Sequence, residues 1–394
     1  MQKAAPASLA ALLDRDVAAV REWERERFAD LAGDAADRVV LFGAGNLGRK
    51  VVAGLLAAGR PPLAVADNNP ALWGTTIGGV PVLSPEEAAR RHGADAVFVV
   101  TIWSAGSRSR FADTATQLAD LGCARVLPLA PLAWRYPHEL LPHFALDLPH
   151  KVVAEREAVL AAADLWADER SRREYLAQVR WRLEGDFAAL PPRSPELEYF
   201  PEDLIAMGAA EHFVDCGAYD GDTVKRFLSL CNGFERITAF EPDPRNFERL
   251  GAYVAELPPD TGGRIACIQA AVSDRRTRLD FFADGSAGAS LAALTAQARP
   301  TVAVEAVLLD EALAEGPPPT YLKLDVEGAE AEALTGAAGL IRRHLPRLAV
   351  CVYHRQADLW RLPLQVRDLS DRYRFFLRAH SEGGFDVVCY AVAG

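Results

Sequence analysis

The stretch Phe213-Val-Asp-Cys-Gly-Ala-Tyr-Asp-Gly-Asp-Thr223 decides the fold. It starts as a short buried strand ending in an acidic residue. A glycine-bearing turn follows, and a helix opens at Asp222-Thr223-Val224. Such a layout brings backbone close to a small ligand at the carboxyl edge of a parallel strand. One turn of this kind is weak evidence, because any tight strand-to-helix turn needs glycine. Two companions strengthen it. Ile237-Thr-Ala-Phe-Glu241 is a second strand ending in a carboxylate, 24 residues after Gly217. Tyr321-Leu-Lys-Leu-Asp-Val-Glu-Gly-Ala-Glu330 is a later strand, again ending in acid. Three acidic strand ends in one α/β segment predict a site for a nucleoside-bearing cofactor. The plainer reading is a solvated acidic turn that only caps a helix.

A carboxylate at the second strand end can accept hydrogen bonds from both ribose hydroxyls of a nucleoside. NAD and S-adenosylmethionine both carry that ribose, and the turn separates them. A pyrophosphate needs the close backbone approach of Gly-x-Gly-x-x-Gly. Here the pattern is Asp215-x-Gly217-x-x-x-Gly221, with Tyr219 where a second glycine would lie. Asp215, Asp220 and Asp222 add negative charge there. Acid suits a cationic ligand, such as the sulfonium and amino group of S-adenosylmethionine.

These residues resemble the FkbM-type family of S-adenosylmethionine-dependent O-methyltransferases. The matching pieces are Asp-Cys-Gly-Ala-Tyr-Asp-Gly-Asp-Thr (215–223), Phe-Glu-Pro-Asp-Pro (240–244), Ala-Ala-Val-Ser-Asp (270–274), Gly-Ala-Ser-Leu (288–291) and Leu-Lys-Leu-Asp-Val-Glu-Gly-Ala-Glu (322–330). The likeness runs from about Phe213 to Ala393. It implies a seven-strand class I methyltransferase fold and methyl transfer to a hydroxyl of a sugar or secondary metabolite. By the same resemblance the cofactor-binding set is Asp215, Gly217, Ala218, Tyr219, Gly221, Asp222, Thr223, Glu241, Ser273, Asp274 and Asp325. Asp215, Gly217 and Gly221 would line the methionine part, Glu241 would hold the ribose, and Val272-Ser273-Asp274 would lie by the adenine. Asp325 would stand close to the reacting centre.

At 394 residues the chain is long enough for two domains. A net charge of −11 argues against a nucleic-acid backbone as main partner. The six cysteines (123, 216, 231, 267, 351 and 389) show no Cys-x-x-Cys pairing, which suits reduced core residues of a cytoplasmic protein. No apolar stretch is long enough to predict a membrane span, and the alanine-rich start meets charge too early for a signal peptide. The expected partner is a small-molecule or sugar acceptor; a homo-oligomer stays open.

The first half repeats the α/β pattern. A charged helix is expected over 8–32, a strand over 38–43, a helix over 46–58 opened by Gly43-Ala-Gly45-Asn-Leu-Gly48, and strands at 62–67, 95–101 and 124–127, with a helix near 107–121. Asp67 follows Gly45 by 22 residues, as a dinucleotide fingerprint would have it. This part reads either as a cofactor- or nucleotide-sugar-binding domain or as a structural, substrate-presenting one. The predicted organisation is therefore α/β: two parallel-sheet Rossmann-like domains (1–135 and 201–394) joined by a helical connector (136–200). The connector carries Arg170, Arg172, Arg173, Arg180 and Arg182, read as a solvated face or as a patch for an anionic acceptor.

Methyl transfer mainly demands orientation and removal of a proton from the acceptor. His354 ends the apolar strand Leu348–Tyr353 and could converge with Asp325 and Glu327. His354 and Asp325 are the expected catalytic pair, with histidine as base and Glu330 as a brace. A divalent metal on Asp325, Glu327 and His354 is the weighed alternative, not the expected one. The tail predicts an antiparallel strand pair, Tyr373–Arg378 and Phe385–Val392, with Arg378 and His380 as loop residues or acceptor contacts. Two further functions stay open: a nicotinamide-dependent nucleotide-sugar oxidoreductase or epimerase using the first domain, and a non-catalytic ligand-binding scaffold. The first lacks a Tyr-x-x-x-Lys pair near the Gly43 turn. The intact acids at 215, 241 and 325 weigh against the second.

Overall fold

A computed structural model describes residues 9–103, 110–231, 233–281 and 301–394. The Gly-Ala-Ser-Leu piece (288–291) and the start of the helix expected near 107–121 lie outside them. Continuous apolar runs give the parallel strands. Val39–Phe42 and Val97–Val100 are buried at every position, as strands covered on both faces must be. They are β1 and β5 of a six-stranded sheet with β2 (Ala64–Ala66), β3 (Thr76–Ile77), β4 (Val80–Leu83) and β6 (Val126–Pro128), in the order β3-β4-β2-β1-β5-β6. All neighbours pair parallel except β3 with β4. Both of those strands escape a sequence reading, because Val80-Pro-Val-Leu83 is short and carries proline. The helix expected over 8–32 divides into Leu9–Leu13 and Val17–Ala32. Asp16 breaks it: its carboxylate accepts from Ala19 N and caps the second helix.

The second half holds β7 (Glu211–Cys216), β8 (Phe234–Phe240) and β9 (Ile265–Ile268). A small side sheet follows, β10 (Ala271–Val272), β11 (Thr277–Phe281) and β12 (Val302–Val307), ordered β10-β12-β11. Then come β13 (Tyr321–Leu324), β14 (Arg347–Cys351), β15 (Tyr373–Ala379) and β16 (Val387–Ala393). The seven-stranded sheet runs β15-β16-β14-β13-β7-β8-β9, parallel but for β16, which is antiparallel to both neighbours. The order reverses direction between β7 and β13. A crevice opens at such a switch point beyond the carboxyl ends of the strands.

The connector is more than a spacer. Its helices Pro149–Ala154, Arg156–Ala163 and Glu169–Glu184 place Val152, Val159, Tyr175, Val179 and Leu183 in the core of the second sheet, and Trp166, between the last two, joins them. Leu12, Leu13 and Val20, from the amino-terminal helices, join the same core. Trp181 of the last connector helix faces the other way, into the core of the first sheet. One helix therefore serves two cores. Its arginines do not form one patch. Arg182 is buried and donates to Gln178 O and Gln356 O, Arg170 pairs with Glu196, and Arg180 pairs with Glu184.

Candidate active site

The turn after β7 is built around glycine for a packing reason. Gly217 has φ +86, and a Cβ there would lie 1.9 Å from Asp325 O. Only glycine lets the ends of β7 and β13 come this close. Gly217 N and Ala218 N both donate to Phe240 O at 3.0 Å, tying the turn to β8. Tyr219, at φ +50, donates its N–H to Glu241 Oε2 at 2.8 Å, and Asp243 N donates to Glu241 Oε1 at 2.9 Å. The Glu241 carboxylate is thus oriented by two backbone donors, with a lone pair left on each oxygen. Burial pushes its pKa up to about 7, against those two bonds. Gly221, at φ +90, precedes the helix Asp222–Leu230, and Asp222 Oδ1 accepts from Thr223 N at 2.6 Å.

Asp215 departs from the sequence reading. The β7–β13 register sets Lys323 beside it, and Lys323 Nζ reaches Asp215 Oδ1 at 2.9 Å and Gly217 O at 2.8 Å. Both side chains are buried. The Asp215 charge is therefore balanced by lysine rather than offered whole to a cationic ligand. Its Oδ2 is buried without a hydrogen-bond partner. Burial pushes Asp215 up to about 6, restrained by Lys323. Burial would lower Lys323, but Asp215 and Asp325 outweigh it and hold the ammonium above its ordinary range.

Ser273 and Asp274 follow β10. Ser273 N donates to Val307 O at 2.9 Å, and its hydroxyl to Asp274 Oδ1 at 3.3 Å. Glu241 N donates to Ile268 O at 3.1 Å, so the end of β9 lies beside Glu241, just before this turn.

Asp325, Glu327 and His354 converge. Asp325 Oδ2 accepts from the Tyr199 hydroxyl at 2.8 Å and lies 3.9 Å from Lys323 Nζ. Its Oδ1 faces His354 Nε2 at 3.4 Å, and Glu327 Oε1 lies 3.8 Å from the same nitrogen. His354 Nδ1 is 2.8 Å from Glu330 Oε1. Glu330 is itself held by Val326 N at 2.9 Å. It is the expected brace. Burial alone would lower His354, but Glu330, Glu327 and Asp325 overcome it and raise its pKa to about 10. At neutral pH the imidazole of this carboxylate cage holds a proton, so a base role requires that proton to leave first. Burial opposes ionisation of Asp325, yet Lys323, His354 and the Tyr199 hydroxyl hold its pKa below the usual range. Burial, Asp386 and Asp325 push Glu198 up to about 8.

Four participants escaped the sequence reading: Lys323 as partner of Asp215, Tyr199 on Asp325, and the acids Glu198 and Asp386. Lys323 carried a signal, a lysine inside the apolar run Tyr-Leu-Lys-Leu. The others carried none, since they arrive from the connector and the tail. Arg378 is corrected. Arg378 is buried against Asp168 and Asp203 at 2.8 and 2.7 Å, and His380 Nε2 meets the Tyr390 hydroxyl at 2.8 Å. Arg378 is a buried group of β15 rather than a loop residue, and His380 is a loop residue just past β15 that is buried and bonded internally.

The first half reaches this end of the second sheet. Trp103 Nε1 donates to Gly383 O at 2.8 Å, and its ring lies 4.7 Å from that of Phe385. Phe385 meets Phe144 at 5.1 Å, and Phe144 meets His354 at 6.2 Å. An aromatic wall thus joins the two halves beside His354. A cleft of about 320 Å³ is lined by Ile102, Trp103, Phe111, Phe187, Leu190 and Gly383. In the first turn, Asp67 accepts from Ala44 N at 2.6 Å and Asn69 N at 2.7 Å, as Glu241 accepts from Tyr219 and Asp243.

Comparison with known proteins agrees with this geometry. Residues 215–381 match the family model described as the methyltransferase FkbM domain. A crystal structure of methyltransferase FkbM from Methylobacillus flagellatus KT superposes with a TM-score of 0.74 at 21% identity, covering 97% of this chain and 100% of that one. An rRNA methylase from Streptococcus thermophilus aligns at a TM-score of 0.31 and 12% identity over 47% of this chain and 87% of its own. No curated protein matches the sequence. With its motifs on the carboxyl edge of a seven-stranded β15-β16-β14-β13-β7-β8-β9 sheet, the chain carries a methyltransferase FkbM domain over residues 215–381, and the protein is a methyltransferase.

Proposed function

We propose that the enzyme binds S-adenosylmethionine at the carboxyl ends of β7, β8 and β13 and methylates a hydroxyl of a sugar or secondary metabolite. The observation that carries this reading is Glu241, whose carboxylate is fixed by Tyr219 N and Asp243 N at the edge of the switch-point crevice. Its remaining lone pairs suit a ribose diol. The residues present fit the cofactor: Asp215 keeps a buried, unpartnered Oδ2 beside the Gly217 turn, an acceptor for an ammonium group. Tyr219, Asp222 and Thr223 border the same turn, and Ser273 and Asp274 follow β10, where an adenine would lie.

When bound, S-adenosylmethionine supplies a methyl group already activated on a sulfonium. The protein then has to bind, orient and manage one proton. Asp325 is held through Oδ2 by Tyr199 and Lys323, so its Oδ1 is turned toward His354. His354 is fixed by Glu330, and its Nε2 faces that oxygen. With no cation between them, these two side chains are positioned to hold or move the acceptor's proton. The Phe144–Phe385–Trp103 wall beside them supports an acceptor pocket shared by both halves.

Calorimetry of the full chain with S-adenosylhomocysteine tests the assignment. Binding is expected, and Glu241→Ala should weaken it by about 1.5–3 kcal/mol, a charged hydrogen bond's contribution. Tight NAD binding with no response to S-adenosylhomocysteine would overturn the reading.

A further inference from the structure

We infer that Asp325, Glu327 and His354 form a divalent-cation site at which a chelating hydroxyl acceptor, one bearing a second oxygen next to the reacting hydroxyl, is bound. The donor atoms of the three side chains all lie within 4.8 Å of one another. They come from the end of β13, the turn after it and the end of β14, so the sheet itself holds them together. Two donors, Asp325 Oδ1 and His354 Nε2, are buried and lack a hydrogen-bond partner. The His354 side chain is 2% exposed, so water does not serve Nε2 from bulk. Its distances to Asp325 Oδ1 and Glu327 Oε1, 3.4 and 3.8 Å, are too long for good hydrogen bonds. They leave room for an ion between the three.

The surroundings are those of a ligand set. Metal-bound histidine usually gives its other ring nitrogen to a carboxylate, which fixes the tautomer and the ring. Glu330 Oε1 does this for Nδ1 at 2.8 Å and is anchored in turn by Val326 N. Asp325 is arranged likewise: Tyr199 and Lys323 occupy the Oδ2 side, which leaves Oδ1 for the site. Two carboxylates and one imidazole are a hard, oxygen-rich set that suits Mg²⁺ or Mn²⁺. Three protein ligands leave coordination positions open, enough for two oxygens of an acceptor. A cation there lowers the pKa of the bound hydroxyl. The cation displaces the proton that His354 Nε2 otherwise holds, and that proton passes to solvent. The O–H bond of the bound hydroxyl then breaks, its proton also passes to solvent, and the oxygen keeps the electron pair. This role rests on the methyltransferase reading above; the site itself rests on geometry alone.

The test is calorimetric titration of the full chain with Mn²⁺ alone, with S-adenosylhomocysteine titrated separately. One Mn²⁺ per chain is expected. Asp325→Asn and Glu327→Gln should each weaken it at least about tenfold, and Glu330→Gln about 10–100-fold, as for a lost outer partner of a metal histidine. Glu311→Gln, at an exposed ion pair with Arg276, should leave it unchanged. Circular dichroism checks the fold of each variant. Absence of saturable binding into the millimolar range, or equal affinity in folded Glu327→Gln, overturns the cation site. S-adenosylhomocysteine binding without Mn²⁺ binding rejects the cation site and keeps the cofactor assignment; the opposite pair of results keeps the site and rejects the assignment.

Discussion

Lys323→Met is the sharpest probe of how the two central strands are joined. The lysine is buried in the middle of β13, between Leu322 and Leu324, where methionine of similar length would fit the apolar neighbours. Its ammonium makes a 2.9 Å ion pair with Asp215 and a 2.8 Å hydrogen bond to Gly217 O, and it lies 5.0 Å from the Tyr199 ring centroid. The substitution leaves Asp215 buried and uncompensated. Removing one partner of such a pair costs about 3–5 kcal/mol. Replacing both should cost less, because no lone charge is left behind. Asp215→Asn with Lys323→Met should therefore recover about 2 kcal/mol or more of the loss. Urea unfolding followed by tryptophan fluorescence measures both, since Trp166 and Trp360 lie in the core of this sheet. The reasoning fails if Lys323→Met unfolds within about 1 kcal/mol of the parent, or if the double variant is no more stable than the single one.

Gly217→Ala should disrupt the turn through the 1.9 Å approach to Asp325 O, lowering the melting temperature and abolishing calorimetric binding of S-adenosylhomocysteine. His380 is buried and its pKa is lowered to about 4 from 6.5, chiefly by burial, so the folded state binds its proton later than the unfolded chain. Stability should accordingly be full above pH 6.5 and fall by about 1.4 kcal/mol per unit toward pH 4. His380→Gln should flatten that slope in urea titrations run at several pH values; an unchanged slope would exclude His380 as its source. A chain truncated just before Ser194 should not fold, since it loses Trp166, Tyr175 and Val179 from the second core and the Ser171 hydroxyl that accepts from Leu377 N at 2.9 Å. A cooperative melt of that fragment would show the connector to be dispensable.

Local physics made much of this protein legible in its sequence. Val39–Phe42 and Val97–Val100 are apolar throughout, which only strands covered on both faces require. Gly217 and Gly221 mark positions of positive φ, and Glu241 ends its strand where a carboxylate meets a turn. The Asp325–Glu327–His354 grouping was also within reach, because parallel strands bring their carboxyl ends to one edge. Other features rest on partners far apart in the chain. Lys323 meets Asp215 across 108 positions, Tyr199 meets Asp325 across 126, and Trp103 meets Gly383 across 280. Periodicity and spacing carry no information over such separations. Whether Asp215 faced a ligand or a lysine, and whether His354 was an ordinary base or a proton-holding group caged by three carboxylates, depended on strand register and burial. Those are properties of the packed sheet: charges close together in a dry interior reset one another's ionisation, and only tertiary structure decides which charges are close.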